Sequence, residues 1–209
     1  MSLILFDFDG VLADTLDDLL QFGQEVCNEL GVHHYVVKED LNNLEVMSFA
    51  TFGKQLEVPD ALIEKFVQRC LEKVAEKESP PAMFAGLAEV VRELSTRHVL
   101  GIVTTNSTQN VKAFLAQHEL EDCIRVIYGV DQPGTKAEKI VRAQEQFAVE
   151  SEAVFMIGDA VSDILAAKQA LVKSIAASWG HQNLDRLTKA KPDYIVHSAG
   201  EIIEIVNQA

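Results

Sequence analysis

Ser2-Leu3-Ile4-Leu5-Phe6-Asp7-Phe8-Asp9-Gly10-Val11-Leu12-Ala13-Asp14-Thr15 is the stretch on which the reading of this chain turns. Residues 3–6 form a short unbroken apolar run, the pattern of a strand buried on both faces of a sheet. The run stops at two carboxylates one residue apart, Asp7 and Asp9, and Gly10 follows at once. In an extended segment residues i and i+2 point to the same side, so Asp7 and Asp9 can converge at the strand's carboxyl end. Two like charges placed together are costly unless a cation or a shared proton relieves them. A polar turn whose acids simply face water gives the same local string, so the rest of the chain decides.

Beyond Thr15 the pattern becomes helical. Leu16, Leu19, Leu20, Phe22, Val26 and Leu30 recur at helical spacing, and Gly31 is a natural stop. Amphipathic helical pieces continue over 38–78, with Pro59-Asp60 between two of them and no strand pattern from 16 to 84. Ser79-Pro80-Pro81 breaks the helix. A helix over 86–94 follows, and then strands at 99–103, 126–128, 153–157, 174–177 and 194–196 alternate with helices at 109–117, 137–147, 162–170 and 201–207. Ser198 and Glu201 have the spacing of a capping box. Alternating buried strands and helices predict a Rossmann-like, doubly wound, mostly parallel sheet. The expected organisation is an α/β core from residues 1–15 and 85–209, with a small all-helical block, 16–84, inserted after the first strand.

The 209 residues suffice for one full core and a smaller appendage. A formal net charge of −14 argues against nucleic acid or anionic membrane as partners. It also means that an anionic substrate needs local cations. Cys27, Cys70 and Cys123 are odd in number, lie in apolar or amphipathic stretches and have no metal-ligand spacing, so they read as reduced core residues of a cytoplasmic protein. No apolar run approaches a membrane span, and residues 2–6 lack the basic flank and length of a signal peptide. A monomer or homodimer is expected.

In a parallel sheet of this kind ligands bind outside the carboxyl ends of the strands. The expected strand ends carry Asp7 and Asp9, then Thr104-Thr105-Asn106-Ser107, then a loop leading to Lys136, then Gly158-Asp159-Ala160-Val161-Ser162-Asp163. Asp7, Asp9, Asp159 and Asp163 would gather at one edge, where a hard divalent cation with oxygen ligands relieves their repulsion, and Mg²⁺ suits few carboxylates and several waters. Lys136 adds one compact positive charge. The Thr104 hydroxyl and the Thr105 and Asn106 amides precede a helix start, a ready anion site. Cations and donors around a carboxylate suit phosphoryl transfer, where the work is positioning and charge neutralisation. Singly, each feature has a plain alternative: a Gly-Asp turn, a helix N-cap, a surface lysine, an Asp163 that caps its own helix. Their recurrence at successive strand ends favours the site.

These residues resemble the motifs of the haloacid dehalogenase-like hydrolases, and among them the phosphoglycolate phosphatase group. Asp-x-Asp-Gly-(Thr/Val)-Leu-x-Asp-(Ser/Thr) matches 7–15, with Val11 where Thr is commoner. The family's Thr or Ser matches Thr104, its Lys matches Lys136, and Gly-Asp-x-x-x-Asp matches 158–163. The resemblance spans essentially the whole chain, and the helical insert is similar to the family's small cap. It implies a Mg²⁺-dependent hydrolase of a small phosphorylated metabolite. In that scheme Asp7 is the nucleophile that becomes an aspartyl-phosphate, and Asp9 is general acid and then general base. The metal is held by Asp7, the Asp9 carbonyl and Asp159, with Asp163 acting directly or through water, and Thr104 and Lys136 hold the phosphoryl oxygens. Ala170-Leu171 departs from the family's common Ala-Gly. A sugar phosphomutase uses the same motifs but needs cations for a second phosphate, and 41–49 contains one acid and no base. A dehalogenase is disfavoured by the presence of Asp9. An inactive binding module would be expected to have lost a catalytic group, and none is lost.

Overall fold

The first strand, β1 (Leu3–Phe6), has no solvent-facing side: all four residues are fully buried in the computed structural model, which describes residues 1–77 and 79–208. Leu3 and Leu5 enter one apolar cluster, Ile4 and Phe6 another, as period-two alternation requires. A two-residue strand, β2 (Ala13–Asp14), follows. Then come the helices α1 (Leu16–Leu30), α2 (Lys38–Asn42), α3 (Phe49–Gln55) and α4 (Ile63–Glu76). β3 (Ala82–Met83) pairs antiparallel with β2. From there the chain alternates: α5 (Leu87–Ser95), β4 (Val99–Val103), α6 (Thr108–Gln117), β5 (Val126–Tyr128), α7 (Lys136–Phe147), β6 (Val154–Gly158), α8 (Val161–Gln169), β7 (Lys173–Ala177), α9 (Leu184–Lys189), β8 (Tyr194–Val196) and α10 (Ala199–Gln208).

The large sheet runs β5-β4-β1-β6-β7-β8, and every neighbouring pair is parallel. One face packs against α5, α6 and α10 through Leu87, Val91, Phe114 and Ile202. The other packs against α7 and α8 through Ile140, Ala143, Ala166 and Ala167. This is the expected doubly wound sheet. β1 lies in the middle, with β4 on one side and β6 on the other, so its carboxyl end is where the winding reverses, the place at which ligands bind in open parallel sheets.

The chain divides into two compact units, Met1–Asp14 with Pro80–Ala209, and Thr15–Ser79. Residues 80–84 go with the first unit, where Ala82 and Met83 pair with Asp14 and Ala13 in a separate two-stranded sheet. The second unit has its own core, in which Val26 and Cys27 of α1, Phe52 of α3 and Phe66 and Cys70 of α4 are buried together. Burial pushes the Cys70 thiol up to about 12 and raises Cys27 as well, so both are inert core residues. Lys73 of α4 reaches Glu25 at 2.7 Å and Glu29 at 3.0 Å on α1, and Arg69 reaches Glu29 at 2.8 Å. Among the described residues no helix is long and apolar enough to cross a membrane. Glu78, at the end of the predicted helical pieces, and Ala209 lie outside the described residues.

Three features differ from the sequence pattern. The β2–β3 pair is too short to leave a periodic signature. α9 has one buried residue, Leu187, and starts because the Asn183 side chain accepts the Arg186 N–H. The end of α8 is built on a residue that resists it. Leu171 is 80% exposed and stands in the left-handed region at φ 58°. Its N–H donates to Lys168 O at 3.1 Å and that of Val172 to Ala167 O at 3.0 Å, the paired bonds of a Schellman close. A β-carbon in that region costs about 1–2 kcal/mol. Glycine would give back roughly 0.5–1 kcal/mol through the freer unfolded chain. The predicted net effect of Leu171→Gly is a gain of about 0.5–1 kcal/mol in denaturant unfolding. A loss of stability would show that Leu171 makes a compensating contact.

Candidate active site

Two neighbouring strands deliver the acids. The Asp7 N–H donates to Ile157 O at 2.8 Å, carrying the β1–β6 ladder one residue past β1. Asp7 Oδ1 accepts the Phe8 N–H at 2.8 Å. The chain then turns sharply, with Leu12 and Ala13 N–H both donating to Phe8 O, and Gly10 takes the positive φ of 77° that the turn demands. β6 ends at Gly158, so Asp159 emerges beside Asp7. Asp163 stands in the first turn of α8, and its Oδ2 accepts the Ala160 N–H at 3.1 Å. Asp163 therefore does cap its own helix; its other oxygen, Oδ1, is left for the Lys136 ammonium.

Asp7, Asp159 and Asp163 are all buried, and ligand oxygens of the three lie within 4.8 Å of one another. Lys136, the first residue of α7, reaches into this group. Its Nζ is 3.0 Å from Asp7 Oδ2 and 2.5 Å from Asp163 Oδ1. Thr135 and Glu138 fix the start of α7 by bonding reciprocally, Thr135 N–H to Glu138 Oε2 at 2.7 Å and Glu138 N–H to Thr135 Oγ1 at 3.3 Å. Burial alone would lower the Lys136 ammonium, but Asp163 and Asp7 outweigh it and raise it above the ordinary lysine range. Burial pushes Asp163 up to about 7; Lys136 opposes the rise while Asp7 and Asp159 add to it. One ammonium does not balance three carboxylates.

The loop after β7 closes over the same acids, and sequence reading passed it by. The His181 N–H donates to Asp159 Oδ2 at 2.7 Å, and His181 Nδ1 lies 3.1 Å from that oxygen. Burial would lower the imidazole, yet Asp159 beside it raises it, with Asp9 and Asp7 adding to the effect. Trp179 Nε1–H donates to Val11 O at 3.2 Å, and Gln182 Oε1 accepts the Val161 N–H at 2.8 Å. Both acid-bearing turns are thus tied to one loop. Space is tight: a β-carbon on Gly10 would fall 2.0 Å from Asp159 Oδ2, and one on Gly180 would fall 2.3 Å from Asp159 Cβ. The available signal was the strand-end rule itself, applied to Trp179-Gly180-His181-Gln182 after the strand at 174–177.

On the other side of β1, Thr104 extends the β4–β5 ladder, its N–H donating to Tyr128 O at 3.0 Å. Thr104 is buried and its Oγ1 accepts the Asn106 N–H at 3.0 Å. Thr105 is exposed. The Asn106 side chain bonds Asp9, with Nδ2 3.0 Å from Oδ2 and 3.3 Å from Oδ1. Of the residues expected to form a site, Asp7, Asp159, Asp163 and Lys136 meet directly, and Asp9, Thr104 and Asn106 form a second group alongside.

The donor set fits a hard divalent cation. It is all oxygen, it carries excess negative charge, and Asp159 Oδ1 is buried without a hydrogen-bond partner among the described residues. An orphaned carboxylate oxygen in an acidic cluster is the position a cation would satisfy.

Residues 4–177 match the family model described as haloacid dehalogenase-like hydrolase. The chain is 27% identical over 213 residues to a phosphoglycolate phosphatase from Synechococcus elongatus, covering 100% of this chain and 98% of that one. It is 24% identical over 214 residues to the pyrophosphatase PpaX from Bacillus mycoides, with coverage of 100% and 98%. Among solved structures it is similar to a haloacid dehalogenase-like family hydrolase from Streptococcus pneumoniae, with a TM-score of 0.87, 25% identity and 98% of each chain covered.

The raised Asp163 carboxyl sets a pH dependence with a definite sign. Its contribution to stability is fully present below its ordinary value of 3.8 and is lost as pH rises through about 7. Chelator-treated protein is predicted to melt at progressively lower temperature from pH 5 to 8, and millimolar Mg²⁺ is predicted to offset the decline by binding the folded state. Asp159→Asn should shrink that offset. A melting temperature indifferent to both pH and divalent cation would contradict the reading of the cluster.

Proposed function

We propose that this chain, which belongs to the haloacid dehalogenase-like hydrolases, is a Mg²⁺-dependent phosphatase of small phosphomonoesters that works through a phosphorylated Asp7. The observation that carries the reading is Lys136 Nζ seated between Asp7 Oδ2 and Asp163 Oδ1 at the central strand's end, with Asp9 two residues beyond. A carboxylate is an adequate nucleophile when cations neutralise the group it attacks.

In this reading an Asp7 carboxylate oxygen attacks phosphorus as the bond to the leaving oxygen breaks, and Asp9 gives that oxygen a proton. A water then attacks phosphorus, Asp9 takes the water's proton back, and the bond to Asp7 breaks to release inorganic phosphate. Lys136 holds Asp7 in line and neutralises phosphoryl oxygen; the Thr104 hydroxyl and the Thr105 amide donate to the other oxygens. Asn106 was expected among these contacts, but its N–H goes to Thr104 Oγ1. Asp7, Asp159 and Asp163, with the Asp9 carbonyl, would hold Mg²⁺, which supplies charge neutralisation at the transferred group. His181 keeps Asp159 Oδ2 occupied, which would leave Oδ1 for the cation.

The relatives named phosphoglycolate phosphatase support a short anionic phosphomonoester as substrate, and phosphoglycolate is the first compound to test. The unit Thr15–Ser79 is proposed as the cap that sets substrate preference, and the protein as cytoplasmic. Residues 41–49, with Glu45 and no base, favour hydrolysis over mutase chemistry, since a bisphosphorylated intermediate needs cations for its second phosphate.

Asp7→Asn is expected to abolish Mg²⁺-dependent release of phosphate from an aryl phosphate while leaving the melting profile folded and cooperative. Retained turnover would exclude Asp7 as nucleophile. Hexose 1-phosphate incubated with Mg²⁺ and a trace of the bisphosphate should yield inorganic phosphate or nothing. Efficient formation of hexose 6-phosphate without free phosphate would replace the hydrolase by a mutase.

A further inference from the structure

We propose that Asn106 is a positioning residue for Asp9, fixing the carboxyl group that moves the proton; the inference rests on the assignment of Asp9 as acid and base given above. Asn106 Nδ2 contacts both Asp9 oxygens, at 3.0 and 3.3 Å. An amide can face either way, so its orientation needs a cause. Here Asn106 Oδ1 accepts the Ser107 N–H at 2.8 Å and Asn110 Nδ2–H at 3.0 Å. Turning the amide over would set its NH₂ against two donors and its oxygen against a carboxylate. The NH₂ must therefore face Asp9.

Those two donors are anchored in turn. Ser107 is the N-cap of α6, and its Oγ accepts the Asn110 N–H at 3.2 Å. The Asn106 backbone is held as well, its N–H on Thr104 Oγ1 at 3.0 Å and its carbonyl accepting the Val130 N–H at 2.8 Å. A line of hydrogen bonds thus runs from the first turn of α6, through Asn106, to Asp9. Asp9 itself stands beyond the end of β1, in the turn around Gly10, and is half-buried.

The chemistry of the tether suits a group that must give and take a proton. A lysine at this place would hold Asp9 ionised and spoil it as an acid. A neutral amide that spans both oxygens restrains rotation of the carboxyl group in either protonation state. In the first half-reaction the proton passes from Asp9 to the leaving oxygen as the phosphorus–oxygen bond breaks. In the second, Asp9 receives a proton from the attacking water. Both transfers depend on where the carboxyl oxygens point.

Leaving groups separate this role from a merely structural one. A 4-nitrophenolate departs without a proton, whereas a simple alkoxide requires one. The test is kcat/KM for 4-nitrophenyl phosphate and for an alkyl phosphate, in Mg²⁺, for wild type, Asp9→Asn, Asn106→Ala and Asn110→Ala. Asp9→Asn should lose about 10²–10⁴-fold on the alkyl ester and far less on the aryl ester. Asn106→Ala should lose about 10²-fold on the alkyl ester, again with a much smaller aryl loss, as a misplaced proton donor does. Asn110→Ala, which leaves the Asn106–Asp9 contact in place but removes its anchor, should show a smaller loss in the same direction. Equal losses on both esters for Asp9→Asn would overturn the assignment of Asp9, and the inference with it. A selective loss for Asp9→Asn with equal losses for folded Asn106→Ala and Asn110→Ala would overturn the positioning role alone.

Discussion

Three carboxylates buried at the middle of a parallel sheet, with one lysine among them, form the constraint around which this molecule is arranged. Desolvation of charged groups is among the largest unfavourable terms a fold can carry, and like charges add to it. The structure answers with everything close at hand. Lys136 bridges Asp7 and Asp163, His181 occupies one oxygen of Asp159, and backbone N–H groups of Phe8 and Ala160 take one oxygen each of Asp7 and Asp163. What is left over, the bare Asp159 Oδ1, marks the place for a cation. The cluster thus carries an unfavourable electrostatic load, the common exchange of stability for function.

The backbone that supports this arrangement is equally constrained. Asp7 and Asp159 converge because β1 and β6 are adjacent and parallel, in the register Phe6 opposite Ile157, so that both chains leave the sheet together. Lys136 arrives from the helix on the Leu3–Leu5 face, and the Asn106 loop arrives after β4 on the other side of β1. Gly10 and Gly180 leave no side chain where the Asp159 carboxylate must sit. The sheet order therefore decides which loops can contribute, and the loops decide the chemistry.

Much of this is legible in the residues themselves. Burial of Leu3 to Phe6 on both faces shows directly in the unbroken apolar run, and the strand-end rule then points to Asp7, Asp9, Thr104, Lys136, Asp159 and Asp163. The misses have physical causes. β2 and β3 are two residues each and carry no period. α9 is held by a cap and a single buried leucine. His181 and Trp179 act through directed hydrogen bonds to Asp159 and Val11, which no apolar pattern announces. Asn106 was placed at the site from its position before a helix, but the partner of its side chain, Asp9, is 97 residues away in sequence and becomes visible when β1 and β4 are paired.

The most direct measurement of the central claim is chemical trapping of the phosphorylated residue. Protein mixed with Mg²⁺ and an excess of aryl phosphate would be quenched within one turnover and treated with borohydride, which reduces an acyl phosphate to an alcohol. The account predicts homoserine at position 7 in the N-terminal peptide, and none in samples quenched without substrate. An unreduced Asp7, with reduction at another carboxylate or at none while phosphate is still released, would contradict it.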